Sequence, residues 1–146
     1  TGNTCRSPMA EAIARAEAAA RGLTLEIGSA GTSAWEGGPA SDGALLVSLE
    51  HGLDLAAHRA RTLSPALIAQ ADLILTMGPH HRERVLALWG DGRAHLLTAF
   101  ASGSGQGAPV SDPFGGDLDV YRATFSELAE QIRHVIDRLA SGAGAS

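Results

Sequence analysis

Residues Leu73 to Met77 read Leu-Ile-Leu-Thr-Met between Asp72 and Gly78. Such a run is too short for a helix and leaves no face in water, so it fits a strand covered on both sides. Strands of that kind belong to parallel sheets sandwiched by helices, the α/β class. The neighbouring segments agree. Ser64-Pro65 opens a short helix, with Ser as cap and Pro pre-set for the first helical position. Pro79 to Trp89 reads as helix and Ala94 to Leu97 as a short strand, followed by a flexible Gly/Ser stretch from Ala101 to Ala108. Leu118 to Leu139 carries Leu118, Tyr121, Phe125, Leu128, Ile132, Val135, Ile136 and Leu139 on one stripe, which predicts the longest helix of the chain.

The upstream half repeats the alternation. Ser7-Pro8 is expected to start the first helix, which runs through Ala10 to Arg21 and stops at Gly22. Leu23 to Ser29 alternates apolar and polar residues as a strand does, and Ala30 to Ala40 is a Gly/Ser-rich loop. A helix from Ser41 to His51 ends at Gly52, and Asp54 to Leu63 forms a loop holding the basic cluster His58-Arg59-Ala60-Arg61. The predicted architecture is a three-layer α/β/α domain over residues 1–140, built on a mainly parallel four-stranded sheet, with a disordered tail at 141–146. A helix opening at residue 8 needs a strand before it to complete a βαβ unit, and the first strand is expected to be absent from this chain. A chain without that interior strand is predicted to be partly unfolded when made alone.

Composition narrows the function. The 146 residues carry a net charge of −5, which offers no broad phosphate-neutralising face for nucleic acid. A single cysteine excludes an internal disulfide framework and a two-cysteine zinc or redox site, and suits the reducing cytoplasm. No apolar run reaches the ~20 residues that span a bilayer, so neither membrane nor nucleic acid is expected as a partner.

The segment with chemical content is Thr1-Gly2-Asn3-Thr4-Cys5-Arg6-Ser7-Pro8. A short polar loop running into a helix N-terminus aims successive N–H groups at one point, with the helix dipole behind them. Gly2 permits close backbone approach, Asn3 tolerates a left-handed conformation, and the Arg6 guanidinium binds two phosphate oxygens at once. The nucleotide-binding pattern G-x-x-x-x-G-K-[ST] is absent, and a plain helix cap with a chance Gly and Arg is the alternative reading.

The stretch TGNTCRSPMAEA resembles the phosphate-binding loop of the low-molecular-weight protein tyrosine phosphatases, whose pattern is C-x-x-x-x-x-R-S. The resemblance continues through Ser29-Ala30-Gly31-Thr32, the HRAR cluster, LILTM and Asp112-Pro113-Phe114-Gly115-Gly116, and so covers the chain. It implies the phosphotyrosine protein phosphatase I-like fold and a metal- and cofactor-independent hydrolase that passes through a phosphocysteine. Its implied partners are a phosphorylated protein and inorganic phosphate or another oxyanion. Gly2, Asn3, Thr4, Cys5, Arg6 and Ser7 would cradle the phosphate. Arg6 would stabilise the transition state and Asp112 would serve as general acid and then base. Thr4, Trp35 and Phe114 would line the substrate pocket.

One position departs from the pattern. The family nucleophile stands immediately ahead of Thr1, so Cys5, next to Arg6, matches the second loop cysteine and is expected on the rim. The sequence as given is therefore expected not to turn substrate over. Within the family, Thr4 resembles the bacterial arginine-directed branch, whereas tyrosine-directed members carry a bulky aliphatic residue there. Two other readings are a phosphatase-like module that binds without turnover and an arsenate reductase of the same fold. The latter needs further cysteines, which this sequence does not contain. His58, Arg59 and Arg61 read as a solvated basic loop, His80 and His81 as diverging helix neighbours, and Tyr121 as core.

Overall fold

A computed structural model describes residues 3–32, 34, 36–89, 94–103 and 107–140. Helix α1 (Arg6–Ala20) is followed by α2 (Asp42–Glu50), α3 (Pro65–Gln70), β1 (Ile74–Thr76), α4 (Pro79–Trp89), β2 (Ala94–Leu96), α5 (Leu97–Ser102) and α6 (Leu118–Ala140). Local signals explain most boundaries. Ser41 and Ser64 cap α2 and α3 by accepting from the N–H groups of Ala44 and Leu67. Gly22 and Gly52 adopt φ of +67° and +77°, where a side chain would be strained. Both close a Schellman turn: Leu23 N–H donates to Ala18 O at 2.9 Å, and Leu53 N–H to Ser48 O at 2.9 Å.

Strands β1 and β2 pair in parallel, with Ile74 opposite Ala94 and Thr76 opposite Leu96. The pleat sends alternate side chains to two cores. Leu73, Leu75 and Met77 pack on a cluster built from Met9 and Ile13 of α1, Val47 of α2, and Phe125, Leu128, Ile132 and Ile136 of α6. Ile74 faces the smaller cluster of Ile68, Val85 and Ala94 on α3, α4 and β2. Helices on both faces of a parallel ladder realise the α/β layering expected.

Three expectations change. Leu23 to Ser29 does not form a strand, and among the described residues the sheet has two strands plus one parallel bridge, Gly31 to Thr62. Alternation assigns faces, but a strand exists only where a neighbour completes its ladder. Here the carbonyls of Ile27 and Ser29 accept from the Arg15 and Arg61 side chains instead. The Gly/Ser stretch begins later than expected, because Leu97–Ser102 forms α5 and Gly103 ends it with φ +73°. Helix α1 starts at Arg6 with Cys5 at its N-cap, so Ser7 lies inside the helix and caps nothing. The tail at 141–146 lies outside the described residues.

Candidate active site

The loop entering α1 takes its shape from Asn3. This residue is 2% exposed and holds φ at +59°, a left-handed conformation that Asn accepts more readily than other non-glycine residues. Its amide side chain works in both directions: Nδ2 donates to Ser29 Oγ at 2.9 Å, while Oδ1 accepts from Arg61 N–H at 3.0 Å. Its carbonyl meets His58 Nε2 at 2.7 Å. Ser29 in turn donates to Glu11 Oε1 at 2.7 Å. Two distant segments therefore brace one residue, and Glu11 of α1 backs one of them. The His58-to-Arg61 cluster, expected to be a solvated basic loop, turns two of its polar groups onto the loop. Arg59 and Arg61 are exposed as expected, but the half-buried His58 ring and the Arg61 backbone N–H serve the loop, because a buried left-handed residue needs partners for its carbonyl and amide.

No side chain caps the start of α1 among the described residues. The first-turn N–H groups are thereby left for a ligand, with the positive end of the helix dipole behind them. Asn3, Thr4, Cys5, Arg6 and Ser7 line one wall of a cleft of about 270 Å³, and Asp112 and Phe114 close the other. The Arg6 guanidinium is 8% exposed; Nη1 donates to Val110 O at 2.6 Å and Nη2 lies 3.8 Å from Asp112 Oδ2. Val110 N–H donates to Met77 O at 2.9 Å, which ties the Asp112 loop to the end of β1. Asp112 Oδ1 accepts from Phe114 N–H at 3.1 Å, and its side chain is half exposed at 54%. Phe114 is 77% exposed at the cleft mouth. Gly2 and Trp35, also expected at the site, lie outside the described residues.

Cys5 is not on the rim. It is 7% exposed and turns its sulfur toward the core, 3.4 Å from both Ser41 Oγ and Tyr121 Oη. Its side chain makes no cap on α1, and α2 and α6 supply polar partners on the side it faces. Burial raises the Tyr121 phenol above its usual range, helped by the Cys5 contact, so the hydroxyl keeps its proton. His81 is buried beside the exposed His80, with ring centroids 3.9 Å apart. Burial, and then the charges of His80 and Arg6, push it down.

A cleft walled by a helix-entering loop, a buried arginine and an opposed aspartate has the physical chemistry to receive an oxyanion. Residues 1–143 match the family described as low molecular weight phosphotyrosine protein phosphatase. The chain belongs to that family. It is 37% identical over 139 residues to a protein-arginine-phosphatase of Bacillus subtilis, covering 95% of this chain and 92% of the relative. It is 36% identical over 136 residues to the low molecular weight protein-tyrosine-phosphatase PtpB of Staphylococcus haemolyticus, covering 88% and 87%. A solved structure of the YwlE arginine phosphatase, a mutant with a phosphorylated active-site serine, superposes with a TM-score of 0.90. It shares 35% identity over 96% of this chain and 91% of that one. The phosphatase family member is thus a cysteine-dependent protein phosphatase, and neither a binding module nor an arsenate reductase is favoured.

Proposed function

We propose that this phosphatase releases phosphate from phosphoarginine in proteins, with Asn3 to Ser7 as its oxyanion cradle. The nucleophilic cysteine is the one that the family pattern places immediately ahead of Thr1. Attack of its thiolate on phosphorus moves charge onto the equatorial oxygens, and Arg6 and the α1 N–H groups meet that charge. Asp112, half exposed and facing Arg6 across the cleft, protonates the leaving nitrogen as the P–N bond breaks. The same carboxylate then takes a proton from the water that hydrolyses the phosphocysteine. Phe114 flanks the entrance as an apolar wall for the substrate side chain.

The observation that carries the arginine reading is Thr4 in the cleft wall, two residues before Arg6. A hydroxyl there meets a polar guanidinium or orients water, whereas an aliphatic side chain would pack an aromatic ring. Both B. subtilis and Geobacillus stearothermophilus relatives carrying the arginine-phosphatase name, at 37% and 38% identity, support the same reading. Phosphotyrosine is the second reading, supported by the tyrosine-phosphatase relatives. We place the protein in the cytoplasm, acting on phosphoprotein. Among the described residues no helix is long and apolar enough to cross a membrane.

Phosphate release by the full-length gene product from matched phosphoarginine and phosphotyrosine peptides tests the assignment. The expected result is a higher kcat/KM on phosphoarginine, with Thr4→Ile losing roughly tenfold on phosphoarginine while keeping or gaining activity on phosphotyrosine. Preference for phosphotyrosine in the parent, unaltered by Thr4→Ile, would overturn it.

A further inference from the structure

Behind the cradle, three polar side chains from three helical segments meet in the apolar core. Cys5 stands at the N-cap of α1, Ser41 at the N-cap of α2, and Tyr121 in the first turns of α6. The Cys5 sulfhydryl donates to Ser41 Oγ at 3.4 Å, the Ser41 hydroxyl donates to Tyr121 Oη at 3.2 Å, and Tyr121 Oη returns to Cys5 Sγ at 3.4 Å. Each group has one proton to give. With the first two donations assigned, the phenol proton closes the ring by pointing at sulfur. Cys5 and Tyr121 are 7% and 5% exposed and Ser41 is half-buried, so the Cys5–Tyr121 contact is the one most shielded from water.

The ring is also tied to the cradle backbone. Ser41 N–H donates to Thr4 O at 2.9 Å, while Ser41 Oγ accepts from Ala44 N–H at 3.3 Å. The peptide between Thr4 and Cys5 is thus gripped at its carbonyl by Ser41 and at the following side chain by Ser41 and Tyr121. The grip on the Thr4 carbonyl fixes the Thr4–Cys5 peptide plane and with it the aim of the Cys5 N–H, while the grip on the Cys5 side chain holds the Cα from which the next peptide and the Arg6 N–H follow. The phenol reaches the ring only because position 43 is glycine. A Cβ on Gly43 would lie 2.5 Å from the Tyr121 ring.

We propose that Tyr121 is a positioning residue for the phosphate cradle, acting through Cys5 and Ser41 without touching the oxyanion. This rests on the site assignment above. Removing its hydroxyl leaves the Cys5 sulfur with Ser41 and the adjacent Thr4 hydroxyl, at 3.7 Å, and frees the Thr4–Cys5 peptide to tilt. The cost then falls on oxyanion affinity and on kcat/KM together, because the N–H groups serve ground state and transition state alike.

The test is calorimetric titration of the full-length protein with inorganic phosphate, alongside steady-state kinetics, for Tyr121→Phe, Cys5→Ala, their double variant and Cys5→Ser. Tyr121→Phe is expected to weaken phosphate binding about fivefold. Cys5→Ala is expected to match it, and the double variant to be no worse than either, since both break one ring. Cys5→Ser, which keeps a hydroxyl in the ring, is expected to stay closer to the parent than Cys5→Ala. A Tyr121→Phe protein that melts lower yet binds phosphate and turns over like the parent overturns the proposal, as do effects that add in the double variant. If Tyr121→Phe fails to fold, the Cys5→Ser and Cys5→Ala pair decides: equal affinities overturn it. A parent that binds no phosphate overturns the site assignment itself, and the proposal with it.

Discussion

Asn3 offers a perturbation whose parts can be separated. Its side chain makes two hydrogen bonds inside the protein, to Ser29 Oγ and from Arg61 N–H, and its backbone sits at φ +59°. Glycine at this position keeps the conformation at no steric cost but loses both bonds, each worth about 1 kcal/mol and more where a buried partner is left unsatisfied. It also adds freedom to the unfolded chain, so Asn3→Gly should lose about 2–3 kcal/mol. Alanine loses the same two bonds and must hold a left-handed backbone that costs L-residues about 1–2 kcal/mol, partly offset by its stiffer unfolded state. Asn3→Ala should therefore be about 1 kcal/mol less stable than Asn3→Gly. Asn3→Asp keeps the oxygen that receives Arg61 N–H and loses only the donor, so it should cost about 1 kcal/mol. It nonetheless puts a negative charge beside the oxyanion cradle and should bind phosphate worst of the three. Urea unfolding of the full-length protein, with unchanged m-values, gives the order in stability, and phosphate titration gives the order in affinity. An alanine variant as stable as the glycine variant would refute the claim that the loop needs a left-handed residue. Affinity that simply tracks stability across all three would refute the electrostatic part.

Asp112→Asn should slow hydrolysis of poor leaving groups by about 10²-fold while changing an activated aryl phosphate far less, because only the poor leaving group needs its proton. Equal losses on both substrates would remove Asp112 as general acid. Ser64→Ala, which deletes a helix cap alone, should cost about 1 kcal/mol. Ser41→Ala should cost more, since Ser41 also joins Cys5 and Tyr121, and urea midpoints compare the two directly. Burial holds His81 below its ordinary range, so below about pH 6.5 the unfolded chain takes up a proton that the folded chain refuses. Stability should be complete above that pH and fall as pH drops below it, by up to about 1.4 kcal/mol per unit. His81→Gln should flatten this slope, and an unchanged slope would assign it to other groups.

What the sequence disclosed depended on how far apart the interacting residues stand. Helices with local punctuation were legible: α2 begins at Ser41 and α3 at the Ser64-Pro65 cap as expected, Gly22 and Gly52 terminate, and the α6 stripe buries Tyr121, Phe125, Leu128, Ile132, Val135 and Ile136. The short apolar run at 73–77 and its parallel partner at 94–96 were legible too. The strand read from Leu23 to Ser29 was not realised, because alternation says nothing about whether a ladder partner lies alongside. Helix α5 was hidden in Leu97–Ser102, too short for periodicity to tell helix from the end of a strand. At the site, adjacency carried the loop, but its supports came from afar. His58, Arg61 and Ser29 each reach Asn3 through a single hydrogen bond, Glu11 stands behind Ser29, and Tyr121 meets Cys5 across almost the whole chain. Contacts of that kind leave no spacing to read.

The central claim is that the Asn3-to-Ser7 loop and Arg6 form an oxyanion cradle at the start of α1. Isothermal titration of inorganic phosphate into the full-length protein and into Arg6→Ala tests it most directly. The buried guanidinium beside the α1 N-terminus predicts saturable one-site binding by the parent and a loss of roughly 10²-fold or more in the variant, as expected for a charge-assisted fork of hydrogen bonds. Equal affinity in parent and variant would contradict the account, because no arrangement of the loop N–H groups alone is meant to hold the anion without Arg6.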